Sequence, residues 1–397
     1  MSDVVRYKFS EFATITSSKR VHLSDYVEVG VPFYRSKEII ELANNQGISE
    51  TLYISEEKYN EIKNKYPVPQ IDDILITAVG TIGKIYLVKD VGFYFKDGNL
   101  IWVRDVNKEI ININYLYYFL NSPIFQSNIL KNNIGAVQKA ITIDHLKSIE
   151  LDLPTLEDQN NISNILKNID QKIALNNQIN EELEAMAKTL YDYWFVQFDF
   201  PDENGKPYKS SGGKMVYNDQ LKREIPEGWG VENLSNFLTI KNGKDHKDLS
   251  DGNYPVYGSG GLMRKVEDYI FEGESVLIPR KGTLNNIMYV DEKFWTVDTM
   301  FYTDMKIDYV ALYTYFSIKD IDFTKLNTGT GVPSMTASIL YQLQIINPNA
   351  DILKNFDELV RTTYRMIFDN RKQNQELNQL REWLLPMLMN GQVKVEE

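Results

Sequence analysis

Two stretches of this chain carry matching landmarks about half a sequence apart, and a duplication on that scale restricts the fold more than any single motif. Ile149-Glu150-Leu151-Asp152-Leu153 ends in Pro154, and Leu343-Gln344-Ile345-Ile346-Asn347 ends in Pro348. Each proline opens about forty residues of helical pattern. At an offset of 194 positions Gly135 falls on Gly329, Thr142 on Thr336, Leu146 on Leu340, Leu183 on Leu377 and Leu190 on Leu384. Upstream, at an offset of 202, Leu75-Ile76-Thr77-Ala78-Val79-Gly80-Thr81 falls on Leu277-Ile278-Pro279-Arg280-Lys281-Gly282-Thr283. Solenoid repeats run to roughly 20–50 residues, so a period this long marks a duplicated domain. Two globular units, each ending in a long helix, suit a protein that grips two places at a fixed distance.

The 397 residues fit two or three domains, and an apolar content of 43% lets each half bury a core. The chain has 0 cysteines, which removes disulfide frameworks, thiolate metal sites and thiol nucleophiles. No run approaches the roughly 18–20 apolar residues of a membrane span. Met1-Ser2-Asp3-Val4-Val5-Arg6 does not read as a signal peptide, so the expected location is cytoplasmic. The net charge of −12 argues against simple nucleic-acid binding, but its distribution softens the argument. Residues 1–150 carry 17 basic and 18 acidic side chains, 155–200 carry 3 and 8, and 201–349 carry 16 and 20. The first unit is thus near neutral, and tight binding to DNA would draw on basic partners.

Residues 1–154 read as an α+β domain, with short buried strands at Ile74–Val79 and Lys84–Val88 around Gly80-Thr81-Ile82-Gly83 and a helix over Tyr115–Leu120. Residues 155–200 read as a long helix, and 201–228 as a turn-rich connector whose nearby aromatics indicate packing. Residues 229–349 repeat the α+β pattern, with strands at Ser275–Ile278 and Asn286–Val290 flanking Gly282-Thr283, and 350–397 repeat the helix. Steps of four and three along the first helix give Ile162, Leu166, Ile169, Ile173, Asn176, Asn180, Leu183, Ala187, Leu190 and Trp194, a coiled-coil seam. The same steps in the second give Phe356, Val360, Thr363, Ile367, Asn370, Asn374, Leu377, Arg381, Leu384 and Leu388. Asparagines recur at the same two steps. Antiparallel pairing about the middles would set Asn176 against Asn374 and Asn180 against Asn370, satisfying each amide and fixing register. It would also give the molecule a pseudo-twofold axis.

No catalytic constellation is legible. His22, His145 and His246 are isolated. Gly83-Lys84 and Gly243-Lys244 lack the rest of a phosphate loop, and Gly258-Ser259-Gly260-Gly261 lacks the strand-then-helix setting of a dinucleotide fingerprint. Glu61-Ile62-Lys63 lies in a polar helical stretch, where a nuclease would need its carboxylates on adjoining strands. Loops that mix small polar, basic and aromatic residues carry the chemistry for phosphate and base-edge contacts. They supply the candidate DNA-binding residues Lys19, Arg20, Arg35, Lys37, Thr81, Lys84 and Lys139 in the first unit. In the second unit the candidates are Lys241, Lys244, Tyr257, Ser259, Arg280, Lys281 and Thr283. The turns after the paired strands occupy the same place in both copies yet differ in residues, as two modules reading different sequences would.

Thr189-Leu190-Tyr191-Asp192-Tyr193-Trp194-Phe195, Asn204-Gly205-Lys206-Pro207-Tyr208-Lys209 and Ile225-Pro226-Glu227-Gly228-Trp229 resemble the central conserved region of Type I restriction-modification specificity subunits. Pro154 followed by Gln159 and Ile162 resembles the family's helix entry, and Leu384-Leu385-Pro386-Met387-Leu388-Met389-Asn390-Gly391-Gln392-Val393 resembles its ending. After Pro348 no glutamine stands at the matching place. The resemblance implies two target-recognition domains joined by two long antiparallel coiled-coil helices. It implies a chain with no catalysis or cofactor of its own that reads a bipartite double-stranded DNA target. Two methyltransferase subunits would supply S-adenosylmethionine chemistry, and restriction subunits would use ATP and Mg. Other readings are a nuclease or methyltransferase in its own right, for which the motifs are missing, and a structural coiled-coil adaptor without DNA readout. A helix of about forty residues spans roughly 60 Å at 1.5 Å per residue, enough to hold two readers a DNA turn of roughly 34 Å or more apart.

Overall fold

The computed structural model describes residues 4–131, 140–326 and 333–393. The chain divides into two compact units, Met1–Leu175 with Gln373–Glu397, and Asn176–Lys372. The landmarks Gly135 and Gly329 lie outside the described residues.

In the first unit an antiparallel sheet runs in the order Thr14–Thr16, Leu100–Arg104, Ile74–Thr77, Ile85–Leu87. Successive side chains of a strand point to opposite faces, so a strand covered on both sides is apolar throughout. Ile74, Ile76, Ile85, Ile101 and Val103 accordingly enter the core beneath the helices, which also takes Phe9, Phe12, Leu146 and Leu166. Leu75, Tyr86, Leu100 and Trp102 enter a second core on the other face. A smaller sheet includes Val31–Tyr34 paired in parallel with Tyr94–Phe95.

The second unit repeats this plan in one continuous sheet. Its order is Leu238–Asn242, Met300–Met305, Phe271–Pro279, Met288–Thr296, Asp251–Gly258, Gly261–Val266. The first four strands match the four of the first unit in order and sense. The parallel pairing of Val256 with Trp295 and Tyr257 with Thr296 matches that of Phe33 with Tyr94 and Tyr34 with Phe95. The central strands are longer than the apolar runs suggest. Phe271–Pro279 and Met288–Thr296 extend past their apolar segments through cross-strand partners such as Glu272 and Lys293, 3.4 Å apart. In each unit a short ladder joins the entering chain to the strand before the long helix: Val5–Lys8 with Glu150–Leu153, and Gly230–Asn233 with Gln344–Asn347. The turn-rich segment carries a hairpin, Met215–Asn218 with Arg223–Pro226. The ring of Phe200 stacks on Tyr208 and Trp229 at 4.7 and 4.8 Å, which seats the segment in the core of the second unit.

The long helices are Leu156–Tyr191, continued by a π-helical turn Asp192–Val196, and Ala350–Met389. All twenty seam positions are buried or half-buried. In the first unit Arg381 donates to Asp170 Oδ1 at 2.7 Å, and the Tyr118 hydroxyl donates to the same carboxylate at 2.7 Å. In the second unit Asn370 Nδ2 donates to Asn180 Oδ1 at 2.9 Å, and Arg371 donates to Glu184 at 2.8 Å. Further along, Trp194 meets Phe356 with ring centroids 5.9 Å apart, so from Asn180–Asn370 to Trp194–Phe356 numbers rise along one helix as they fall along the other, and the pairing in the second unit is antiparallel. Asn176 and Asn374 are also buried.

The entry glutamine has a visible role. Gln159 is fully buried, donates to the carbonyls of Ile110 and Pro154, and accepts from the Asn112 amide at 2.8 Å. At the equivalent place in the second helix Leu353 is buried in the apolar core, so packing replaces the polar clamp.

The Asn180–Asn370 pair makes a direct prediction. Asn370→Leu leaves the Asn180 amide oxygen without its donor and should cost about 1–3 kcal/mol in chemical denaturation. Replacing both with leucine should recover much of the loss. A single variant as stable as the parent would show that the amides contribute no specificity.

Candidate nucleic-acid interface

In each unit the chain leaving the first strand of the sheet is tied to the chain entering its neighbour, and a cleft opens between the two segments. In the first unit Ser17 Oγ donates to the Leu100 carbonyl at 3.0 Å, Ser18 Oγ to the Phe95 carbonyl at 2.7 Å, and the Lys19 amide to the Tyr94 hydroxyl at 2.7 Å. The resulting cleft, of about 640 Å³, is lined by Arg20, His22, Leu23, Lys96, Asp97 and Asn99 among others. Arg20 Nε stands 3.2 Å from Asp97 Oδ2. The Thr77–Lys84 turn lies alongside, because the Ala78 amide donates to the Asn99 carbonyl at 2.8 Å. Thr77 Oγ1 shapes that turn by donating to the Thr81 carbonyl and accepting from the Lys84 amide at 3.0 Å. Thr81 and Lys84 are exposed, and Lys84 has no ion pair among the described residues.

In the second unit the same step requires a glycine. A Cβ on Gly243 would lie 2.1 Å from the Val297 carbonyl oxygen, so no larger residue fits. The Lys244 amide then donates to the Thr296 carbonyl at 2.9 Å, and the Trp295 indole N–H donates to the Lys244 carbonyl at 2.9 Å. This cleft, of about 430 Å³, is lined by Asp245, His246, Lys247, Ser259, Asp298 and Thr299 among others. The amides of Arg280 and Lys281 both donate to the Thr299 carbonyl, at 2.8 and 3.2 Å. Asn286 Nδ2 donates to the Ser259 carbonyl at 2.9 Å. Gly282, at φ +89°, turns the chain where a side chain would meet Ser259. Ser259 lines the cleft, the amides of Lys244, Arg280 and Lys281 tie those residues beside it, and Thr283 follows in the Gly282 turn. Lys244 and Lys281 are exposed and have no ion pair among the described residues.

Other candidates are held by the fold. Arg35 caps the helix Ser36–Ala43, its Nη2 lying 2.6 Å from Glu38 Oε1. Burial raises the Glu38 carboxyl, but hydrogen bonds from the Arg35 side chain and amide outweigh it and hold it below the usual range. Lys37 shares Glu50 with Arg35, each at 3.6 Å. Lys241 pairs with Asp304 across two strands at 2.7 Å and stands over the Phe271 ring. The Tyr257 hydroxyl donates to Glu292 at 2.7 Å, and burial with that carboxylate pushes the phenol well above its usual range. Lys139 lies outside the described residues.

His22, Lys96, Asn99, His246, Lys247 and Asp298 also line the clefts, outside the set that loop composition singles out. The signal that finds them is positional: two of the three histidines follow the same strand in the two copies. Among the described residues no group of three His, Cys, Asp or Glu is placed to hold a metal ion, and no helix is long and apolar enough to cross a membrane.

A family model described as the Type I restriction modification DNA specificity domain matches residues 1–185 and 226–367. The chain belongs to this family. The two matched stretches contain the two sheets and clefts of this specificity-domain protein. Over 352 residues it is 26% identical to the Type I restriction enzyme MjaIX specificity subunit of Methanocaldococcus jannaschii, covering 82% of this chain and 78% of that one. It is 24% identical over 368 residues to the HindI specificity subunit of Haemophilus influenzae, covering 73% and 80%. Its fold is similar to the crystal structure of a Type I restriction-modification S subunit from M. genitalium, with a TM-score of 0.62 at 15% identity over 98% of this chain and 96% of that one.

Proposed function

We propose that this chain is the non-catalytic DNA-reading subunit of a Type I restriction-modification complex, with each unit reading one half of a bipartite double-stranded target. One observation carries the reading. A single sheet plan places a cleft at the same point twice, and the two clefts are lined by different side chains. A shared scaffold with divergent linings is what two readers of two sequences require. The family membership and the names of the relatives support it.

In this reading two methyltransferase subunits bring S-adenosylmethionine chemistry, restriction subunits bring ATP and Mg, and the complex works on DNA in the cytoplasm. Exposed apolar side chains on the long helices, Met186, Leu359 and Met366 in the second unit and Leu380 and Trp383 in the first, fit faces covered by such partners. The acidic balance of the second unit fits DNA affinity shared with basic partners.

The helices act as the spacer. Inserting one heptad at matching points of both lengthens each by about 10 Å. The gap between half-sites should then grow by roughly three base pairs at 3.4 Å each, with both half-sites unchanged. An unaltered gap would remove the ruler from the account.

The defining experiment is co-expression with the methyltransferase subunit and genome-wide mapping of methylated adenines. A two-part motif with a fixed gap is the expected result. A well-formed complex that methylates no defined motif would favour the adaptor without DNA readout.

A further inference from the structure

The two clefts differ in the chemistry they offer. The first presents Arg20, Lys96 and Asp97, and the second Asp245, Lys247 and Asp298. We propose that these clefts, more than the glycine turns beside them, carry the base-reading side chains: Arg20 reads a guanine in one half-site and Asp298 reads a cytosine in the other. This rests on the reading of the chain as a DNA specificity subunit and names what each unit recognises.

Arg20 is oriented by its neighbour. Nε donates to Asp97 Oδ2 at 3.2 Å, the two terminal Nη groups have no hydrogen bond or ion pair among the described residues, and the residue lines the cleft. Those groups form the planar fork that fits the O6 and N7 acceptors of guanine in the major groove. A carboxylate behind the guanidinium also restricts its rotamers, so less freedom is lost on binding.

Asp298 has the opposite setting. Its backbone is held on both sides, since the Val297 amide donates to the Tyr257 carbonyl and the Thr299 carbonyl accepts from Arg280 and Lys281. Its side chain is exposed and has no hydrogen bond or ion pair among the described residues. Asp245 is already engaged, accepting from the Lys247 amide at 3.1 Å with the Lys247 ammonium 3.7 Å away. A free carboxylate facing DNA is repelled by phosphates unless it meets a donor. In the major groove the base-edge donors are the exocyclic amines of cytosine and adenine, and a carboxylate suits cytosine N4. Lys244 and Lys281 stand beside the same cleft, where phosphate contacts would set the register.

The test compares the parent chain with Arg20→Ala and Asp298→Asn, each co-expressed with the methyltransferase subunit, by mapping methylated adenines. Asp298→Asn keeps the shape of an exposed side chain, so folding is preserved, and an amide there favours adenine. Arg20→Ala should relax one G·C position in one half-site, and Asp298→Asn one G·C position in the other, each with roughly 10- to 100-fold lost discrimination. The untouched half-site should stay strict in each case. Parental motifs in both variants would overturn the proposal, as would a parent motif with no G·C pair in one half-site. A parent complex with no two-part motif fails earlier, at the DNA-reading function itself, and takes this assignment with it.

Discussion

Phe356→Ala should destabilise the second unit by about 3–5 kcal/mol. Phe356 is fully buried at the first seam position of the second long helix. Its ring centroid lies 5.0 Å from Phe195, 5.9 Å from Trp194, and 6.3 Å from both Tyr191 and Phe316. Those four rings come from the end of the first long helix, the π-helical turn after it and the helix Ala311–Lys319. One side chain thus joins three elements, and aromatic pairs at these distances add to the burial term. Truncation leaves a cavity walled by large planar rings that cannot collapse into it, which places the cost at the upper end for such changes. Denaturant unfolding followed by near-UV circular dichroism reports the loss directly. A cost below 1 kcal/mol would mean that the cluster is not the joint it looks like.

Arg361→Met should cost about 3–5 kcal/mol near neutral pH, and the cost should shrink as the solution is acidified. The Arg361 guanidinium lies 2.8 Å from Glu274 Oε2, 2.8 Å from Asp357 Oδ2 and 3.9 Å from Asp291 Oδ2. Asp357 is fully buried. Burial pushes its carboxyl above the usual range, and the hydrogen bond and charge of Arg361 pull it only part of the way back. Burial, together with Glu274, raises Asp291 as well. Methionine fills the volume but leaves the carboxylates without their cation, an uncompensated buried charge. A carboxyl raised in the folded state binds its proton more tightly there than in the unfolded chain. Its favourable contribution is therefore present at low pH and disappears as pH rises through the folded value. Protonated acids need no cation, so the variant and parent should converge as pH falls from 7 toward the carboxyl range. Parallel stability curves across that range would show that the ion cluster does not govern the docking of this helix.

Much of the architecture follows from patterns that a one-dimensional string preserves. The seam asparagines recur because helical periodicity is local, and the buried strand at Ile74 shows itself because both sheet faces are covered and Ile74-Leu75-Ile76 are apolar in succession. The duplication is visible in the prolines and in the Leu75 and Leu277 runs for the same reason. The clamp of Gln159 could be located by its family spacing, although its three partners belong to the fold.

Residue type and loop position, by contrast, do not say which cations are free. Arg35, Lys37 and Lys241 look alike in the string to Lys84, Lys244 and Lys281. The first three are held by Glu38, Glu50 and Asp304, and the last of these pairings spans 63 positions. Arg20 depends on Asp97, 77 positions away. The clefts are likewise invisible, since each forms where one strand ends and another begins, between segments that only sheet pairing brings together. The duplication, the helical seams and the class of residues on the loops are legible in the string, because they rest on periodicity and composition. Which side chains stay open to a partner is set by the folded chain, because charge neutralisation and cavity shape depend on neighbours in space.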